Sequence, residues 1–330
     1  INIPTGKDSL SMTQKYGDEK VYSPGTVIIS AGAEVSDVKK VVSPVLVRDA
    51  RTAVYYIDFS FDALSLGGSA FAQSLGKVGC QAPTVQDSEY FASAFNAIQQ
   101  LISEGLILAG HDISAGGMIT ALLEMNFANT EGGLEVKLDK LPEKDLIKIL
   151  FSENPGVLIQ VKDRKAVEKI LEEAGVGYAV VGHPCSERHI LVSKDGAEYL
   201  FGIDHLRDVW FSSSYLLDRK QSGEAQAKAR FLNYKEQPLH YHFGKSFTGK
   251  MEQYGISADR RKPSGIKAAI IREKGVNGDR EMAYSLYLAG FDVKDVHMTD
   301  LISGRETLED VNMIVYCGGF SNSDVLGSAK

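Results

Sequence analysis

Residues 106–125 constrain the chain most. Leu106-Ile107-Leu108-Ala109 is short, apolar and suited to a buried strand. Gly110-His111-Asp112-Ile113-Ser114-Ala115-Gly116-Gly117 follows as a polar, glycine-rich turn, and Met118 to Met125 has helical composition. Strand, tight turn and helix N-terminus together form a layout that binds phosphate. Free backbone N–H groups and the positive end of the helix dipole converge there, and paired glycines let an anion approach the backbone. Asp112 offers a hard carboxylate for magnesium, and Ser114 offers a hydroxyl for a helix cap or a phosphate oxygen. The plainer reading stands beside this one: Asp-x-Ser before a helix is a common N-cap, and Gly-Gly a common turn. Met118, Ile119, Leu122, Leu123, Met125 and Phe127 make the helix apolar nearly all round, so it is expected to be buried. Glu124 is its one carboxylate, which needs a partner, a metal or an edge position.

With 330 residues the chain has room for two or three domains. A formal net charge of -7 argues against nucleic acid or an anionic membrane as the main partner, so bound phosphate needs local devices. No apolar run reaches the roughly 18 residues a bilayer demands. Cys80, Cys185 and Cys317 are too few and too scattered for a disulfide framework or a zinc site, so a reducing, cytoplasmic setting is expected. The chain starts without Met and stops at Gly327-Ser328-Ala329-Lys330; both ends read as cut from something larger.

Strands are expected at 27–31 and 53–59, with a short helix over 34–42 that places Val35, Val38 and Val41 or Val42 on one side. A helix over 85–103, the strand 106–109, a helix over 115–128, strands at 156–161, 179–181 and 189–192, and a helix over 164–174 interleave as an α+β or α/β domain. From Trp210 to about Gly265 apolar periodicity is poor, which suggests a linker. His240 and His242 would share a face of a strand there, but no third metal ligand is near. A strand at 266–271, a helix at 280–289 and strands at 291–296 and 313–317 then suit the start of a doubly wound parallel sheet, with Gly318-Gly319 at its carboxyl end.

Six motifs occur in order: Gly6-Lys7-Asp8-Ser9-Leu10-Ser11-Met12, Leu66-Gly67-Gly68-Ser69, His111 to Gly117, Arg272-Glu273-Lys274-Gly275-Val276-Asn277, Gly290 to Met298, and Cys317-Gly318-Gly319-Phe320-Ser321. With them the whole chain resembles the later part of the large, single-chain phosphoribosylformylglycinamidine synthase family. The resemblance implies an ATP- and glutamine-dependent ligase that converts formylglycinamide ribonucleotide into the amidine in purine biosynthesis. It implies the tail of a synthetase-like N-terminal domain over 1–59. An aminoimidazole-ribonucleotide-synthetase-like C-terminal α+β domain would span 60–210 and a linker 211–264. The truncated start of a class I, flavodoxin-like glutamine amidotransferase domain would span 265–330. Implied cofactors are ATP or ADP with Mg2+. Implied partners are formylglycinamide ribonucleotide, glutamine, and the upstream synthetase and downstream glutaminase parts.

By position, Asp112 corresponds to the family's magnesium ligand and Ser114 to its ATP contact. Gly116 and Gly117 belong to the same nucleotide turn, and His111 either backs the metal ligand or stabilises the turn. Lys7, Asp8 and Ser9 look like part of a nucleotide or substrate wall; a solvated surface lysine is the alternative for Lys7. For Leu66 to Ser69 the preferred reading is a tight turn before a helix. Gly318 and Gly319 look like the glutaminase oxyanion loop, whereas Cys317 ends an apolar strand outside the family's nucleophile motif and reads as a buried small residue. That nucleophile lies downstream, so no catalytic residue of the glutaminase is expected here. The family's Tyr-Gly after Gly-Gly-Phe-Ser is replaced by Asn322-Ser323, and the family's upstream carboxylate and Asn metal ligands are missing. Two other readings remain: a stand-alone relative such as aminoimidazole ribonucleotide or selenophosphate synthetase, and a non-catalytic interaction module on a dead nucleotide fold.

Overall fold

The structure is a computed structural model that describes residues 2–8, 13–22, 27–35, 37–233, 236, 242–257, 259 and 261–319. The chain divides into two compact units, residues 39–244 and residues 1–38 with 245–330. In the N-terminal part, β1 (Asn2–Asp8) pairs antiparallel with β4 (Val27–Gly32), and β2 (Thr13–Tyr16) forms a hairpin with β3 (Glu19–Tyr22). Among the described residues the helix expected over 34–42 does not form; one 3-10 turn spans Val38–Lys40. Val35, Val38 and Val41 are all exposed. Val42 is half-buried beside Gly110, and a stripe of β-branched residues that is otherwise exposed does not sustain a short helix.

The unit over 39–244 runs β5 (Ala53–Asp58), α1 (Ala70–Ser74), α2 (Ser88–Ser103), β6 (Ile107–Asp112), α3 (Gly117–Phe127) and β7 (Gly133–Lys137). It continues with α4 (Leu146–Phe151), β8 (Gly156–Val161), α5 (Arg164–Glu173), β9 (Ala179–Cys185), β10 (His189–Lys194) and β11 (Ala197–Gly202). Then come α6 (Ile203–Ser222) and α7 (Glu224–Asn233). Its sheet has the order β11-β10-β7-β9-β5-β8-β6. Only β7 and β10 run parallel to each other; every other neighbouring pair is antiparallel.

Helices cover both faces. Val54 and Tyr56 face one core with Met118, Leu122 and Met125 of α3 and Ile149 of α4. Tyr55 and Ile57 face another with Ala94, Ile98 and Leu101 of α2 and Val167 and Leu171 of α5. Two-sided burial explains why Ala53-Val54-Tyr55-Tyr56-Ile57 is continuously apolar rather than alternating. The same packing buries α3 almost all round, as its composition indicates.

The stretch read as a linker from Trp210 onward is helical as far as Asn233. Tyr215 stacks on Phe231 at 4.8 Å, and Arg230 makes two bonds to Asp218, at 2.6 and 2.8 Å. This hairpin of helices is held mainly by polar and aromatic side chains, so it carries little apolar periodicity.

In the C-terminal part, β12 (Lys267–Arg272), α8 (Asp279–Leu288), β13 (Asp292–His297), α9 (Met298–Ile302) and β14 (Met313–Tyr316) form a parallel sheet of order β13-β12-β14. That order puts the first strand in the middle, as a doubly wound sheet begins. Among the described residues no helix is long and apolar enough to cross a membrane.

Candidate functional site

The polar motif does not start where the strand composition stops. β6 runs on through Gly110 and His111 to Asp112, paired with β8. The Asp112 carboxylate therefore stands at a strand end, with its side chain 73% exposed. His111 ties that strand end to α3: its Nδ1 lies 2.7 Å from the Asp112 carbonyl oxygen and its Nε2 lies 3.0 Å from Oε2 of Glu124. The lone carboxylate of α3 thus has a partner. Beside these residues is a pocket of about 350 Å3 lined by Ile98, Ile102, Gly110, His111, Asp112 and Leu158.

Ser114 does not cap α3. Gly116 holds the N-cap position in a left-handed conformation with φ of 90°, and no side chain caps the helix from it. The N–H of Gly116 donates instead to Oε1 of Glu153 at 2.8 Å. Gly117 is required by packing: its φ is +72°, and an added Cβ would lie 2.7 Å from Leu150 O and from Phe151 C and Cα. The two glycines are thus accounted for by close backbone packing and by an internal carboxylate.

Leu66 to Ser69 forms a tight turn. Gly67 and Gly68 donate to the Gln81 and Val78 carbonyls at 2.8 and 2.6 Å, and Ser69 Oγ caps α1 by accepting from Ala72 N. The N–H of Ala70 donates to the same Glu153 Oε1, at 2.7 Å. The structure therefore brings the 66–69 and 114–117 turns together at one side chain. Glu153 carries no signal in the sequence beyond standing before Asn154-Pro155-Gly156 ahead of β8, and sequence reasoning missed it.

A magnesium-like cation takes about six oxygen ligands. Among the described residues no group of three or more His, Cys, Asp or Glu side chains could hold a metal ion. The exposed Asp112 carboxylate offers oxygen for one ligand position, Glu124 being engaged with His111, and the described residues do not make a complete site.

A larger cleft, of about 680 Å3, lies where Tyr56, Asp58 and Tyr178 meet the 140–144 loop, and Ile113 of the 111–117 turn and Met118 of α3 line part of its wall. Burial, with the Asp58 carboxylate nearby, raises the Tyr56 hydroxyl, and burial raises those of Tyr90 and Tyr178.

The backbones of Lys7 and Asp8 lie in β1 opposite Ile28 and Val27, in the other unit, while Ser9 falls outside the described residues. His240 also falls outside them, as do Asn322 and Ser323.

In the C-terminal sheet, two motif segments meet past the carboxyl ends of β12 and β14. Gly319 bridges Val276, and the Gly318 carbonyl accepts from Asn277 N at 3.2 Å. A Cβ on Gly319 would lie 2.4 Å from Gly275 O. Cys317 packs against Ala268, Ile270 and Leu286 and is half-buried rather than fully buried. Burial raises its thiol pKa, and Asp279 and Glu281 add to that, which opposes a nucleophilic thiolate.

Comparison with known proteins follows this division. Residues 59–193 match the family described as AIR synthase related protein, C-terminal domain, and residues 265–330 match the CobB/CobQ-like glutamine amidotransferase domain. The chain therefore joins an AIR-synthase-type domain to amidotransferase sequence. Over its whole length it is homologous to one segment of the phosphoribosylformylglycinamidine synthases. It is 37% identical to the human enzyme and 36% identical to the probable chloroplastic or mitochondrial enzyme of Arabidopsis thaliana, over 100% of this chain in each case. It spans 25% and 23% of their lengths. A solved Thermotoga maritima phosphoribosylformylglycinamidine synthase II is 17% identical, with a TM-score of 0.42 over 56% of this chain and 29% of that one.

Proposed function

We propose that this chain is a segment of a glutamine-dependent ligase that uses ATP to convert formylglycinamide ribonucleotide into formylglycinamidine ribonucleotide. One observation carries the reading: homology over every part of the chain to enzymes of that name, with the two matched domains in succession. The proposed division is a domain tail over 1–59, the synthetase-type α+β domain over 60–210, a connector over 211–264 and the amidotransferase start from 265. The unpaired cysteines accord with a cytoplasmic setting.

Within that enzyme, the turn over 111–117 forms one side of a magnesium–nucleotide site. Asp112 supplies a single metal ligand, positioned by the His111–Glu124 pair, and Ser114 faces the nucleotide. Bound there, the metal would screen phosphate charge; the other ligands come from parts of the longer protein. Lys7, Asp8 and Ser9 contribute to a nucleotide or substrate wall, and Gly318 and Gly319 to the oxyanion loop of the glutaminase. Backbone N–H donors in such a loop stabilise the negative oxygen formed when a nucleophile attacks an amide. The segment alone makes no amidine and hydrolyses no glutamine.

The test uses the complete protein that contains this segment. It should form the amidine from ATP, glutamine and formylglycinamide ribonucleotide, and calorimetric titration with magnesium-ADP should show binding that Asp112→Ala abolishes. A complete protein without ligase activity refutes the assignment. Equal binding by Asp112→Ala refutes the role of Asp112, and amidine production by the isolated segment refutes its dependence on the missing parts.

A further inference from the structure

Residues 152–154 form the junction between α4 and β8, and they touch both glycine-rich turns. Oε1 of Glu153 accepts from Ala70 N at 2.7 Å and from Gly116 N at 2.8 Å, the first residue of α1 and the N-cap residue of α3. Its neighbour Asn154 is buried and fully engaged. Its Oδ1 accepts from Ser65 N and Ser152 Oγ, and its Nδ2 donates to Ser60 Oγ and Ala63 O. The 60–69 loop is thereby fastened to the junction at both ends. Gly117 rests directly on Leu150 and Phe151, so the 114–117 turn is seated on the end of α4, next to that junction.

The two turns are separated by more than forty residues in sequence and by different elements in space. One oxygen atom accepting from both backbones fixes their separation, because hydrogen bonds of this kind tolerate only a few tenths of an ångström. It also satisfies a terminal N–H of α3, whose N-cap residue has no side chain to do so.

We infer that Glu153 is a positioning residue: by accepting from Ala70 and Gly116 at once, it sets the spacing of the 66–69 and 114–117 turns and so the placement of Ser114 and Asp112 toward the nucleotide. The inference rests on the proposed nucleotide role of residues 112–117. It requires the reach and the acceptor oxygen of the side chain, and not its charge. Glu153→Gln keeps both the length and an Oε1 acceptor. Glu153→Asp keeps the charge and is one methylene too short to reach both N–H groups.

The experiment measures magnesium-ADP affinity by calorimetry in the complete protein, with hydrogen exchange at Ala70 and Gly116 and a melting temperature for each variant. Wild type and Glu153→Gln should bind within about threefold of one another and protect both amides. Glu153→Asp should bind at least tenfold more weakly and expose at least one of the two amides. If Glu153→Asp exposes an amide and lowers the melting temperature yet binds like wild type, Glu153 is merely structural and the inference fails. If Glu153→Gln loses as much affinity as Glu153→Asp, the charge matters and the inference fails. If wild type binds no magnesium-ADP, the nucleotide reading itself fails, and the positioning role falls with it; binding by wild type separates the two failures.

Discussion

Gly117→Ala tests whether the turn before α3 is seated on α4 as tightly as the geometry indicates. Two costs add. At a φ of +72° an L side chain is strained by about 1–2 kcal/mol. The new Cβ would lie 2.7 Å from three backbone atoms of Leu150 and Phe151, none of which can swing aside. Relief requires α3 and α4 to part by a few tenths of an ångström, and overpacking of this kind costs about 1–3 kcal/mol. The sum is about 2–5 kcal/mol, a large share of the roughly 5–15 kcal/mol that holds a domain folded. Gly105→Ala is the control: its φ is +71° with nothing within 4 Å of the added Cβ, so only the conformational cost applies. The difference between the variants isolates the packing cost at about 1–3 kcal/mol, or about 2–12 °C in melting temperature. Fluorescence of Trp210, the single tryptophan, reports the transition, because its ring lies 6.1 Å from that of Phe127 at the end of α3. Equal destabilisation by the two substitutions would refute the tight seating of the turn.

Three further outcomes are expected. Arg188 donates to Asp204 and to the carbonyls of Asn126, Asn129 and Gly132, so Arg188→Met should cost about 3 kcal/mol in urea unfolding; a loss under about 0.5 kcal/mol would show that these bonds do not stabilise the fold. Bonds from Lys267 and Lys294 hold Asp310 at about 2, below its ordinary 3.8, so its contribution to stability is complete above about 3.8 and is lost as pH falls toward 2; its carboxyl carbon shift should titrate near 2 and move upward in Lys267→Met. Cys80 is exposed whereas burial raises the thiols of Cys185 and Cys317, so iodoacetamide at mildly alkaline pH should label Cys80 first by peptide mass; faster labelling of Cys317 would contradict its placement against Ala268, Ile270 and Leu286.

What was legible in the sequence follows from where apolar side chains decide the structure. The buried run at 53–58, the all-round apolar α3 and the parallel start after 265 follow from composition and period, because burial writes itself into residue type. Beyond Trp210, helices α6 and α7 were hidden because ion pairs and aromatic contacts bind them to each other, and those leave little apolar period. The valines over 35–41 mimic an amphipathic helix, but periodicity is only a promise of burial and no surface receives them. At the site, the turn over 110–117 was visible as a motif, whereas its supports were not. Nothing local marks Glu124 as the partner of His111, or Glu153 as the side chain that joins Ala70 to Gly116; both contacts cross between elements and exist only once the sheet is assembled.

The middle position of β5 also has a consequence in time. β5 is the first strand of its sheet to be made, yet both of its neighbours, β8 and β9, come late: Ala53 pairs with Val161, roughly a hundred residues onward. At synthesis rates of about 5–20 residues per second, the ribosome needs roughly 5–20 s to supply that partner. Until then Ala53 to Ile57, apolar on both faces, emerges as an unpaired strand that other nascent chains can pair with. The centre of the sheet thus stays open until β8 and β9 are made, and a pause in translation before residue 156 would prolong the interval in which this chain is most prone to aggregate.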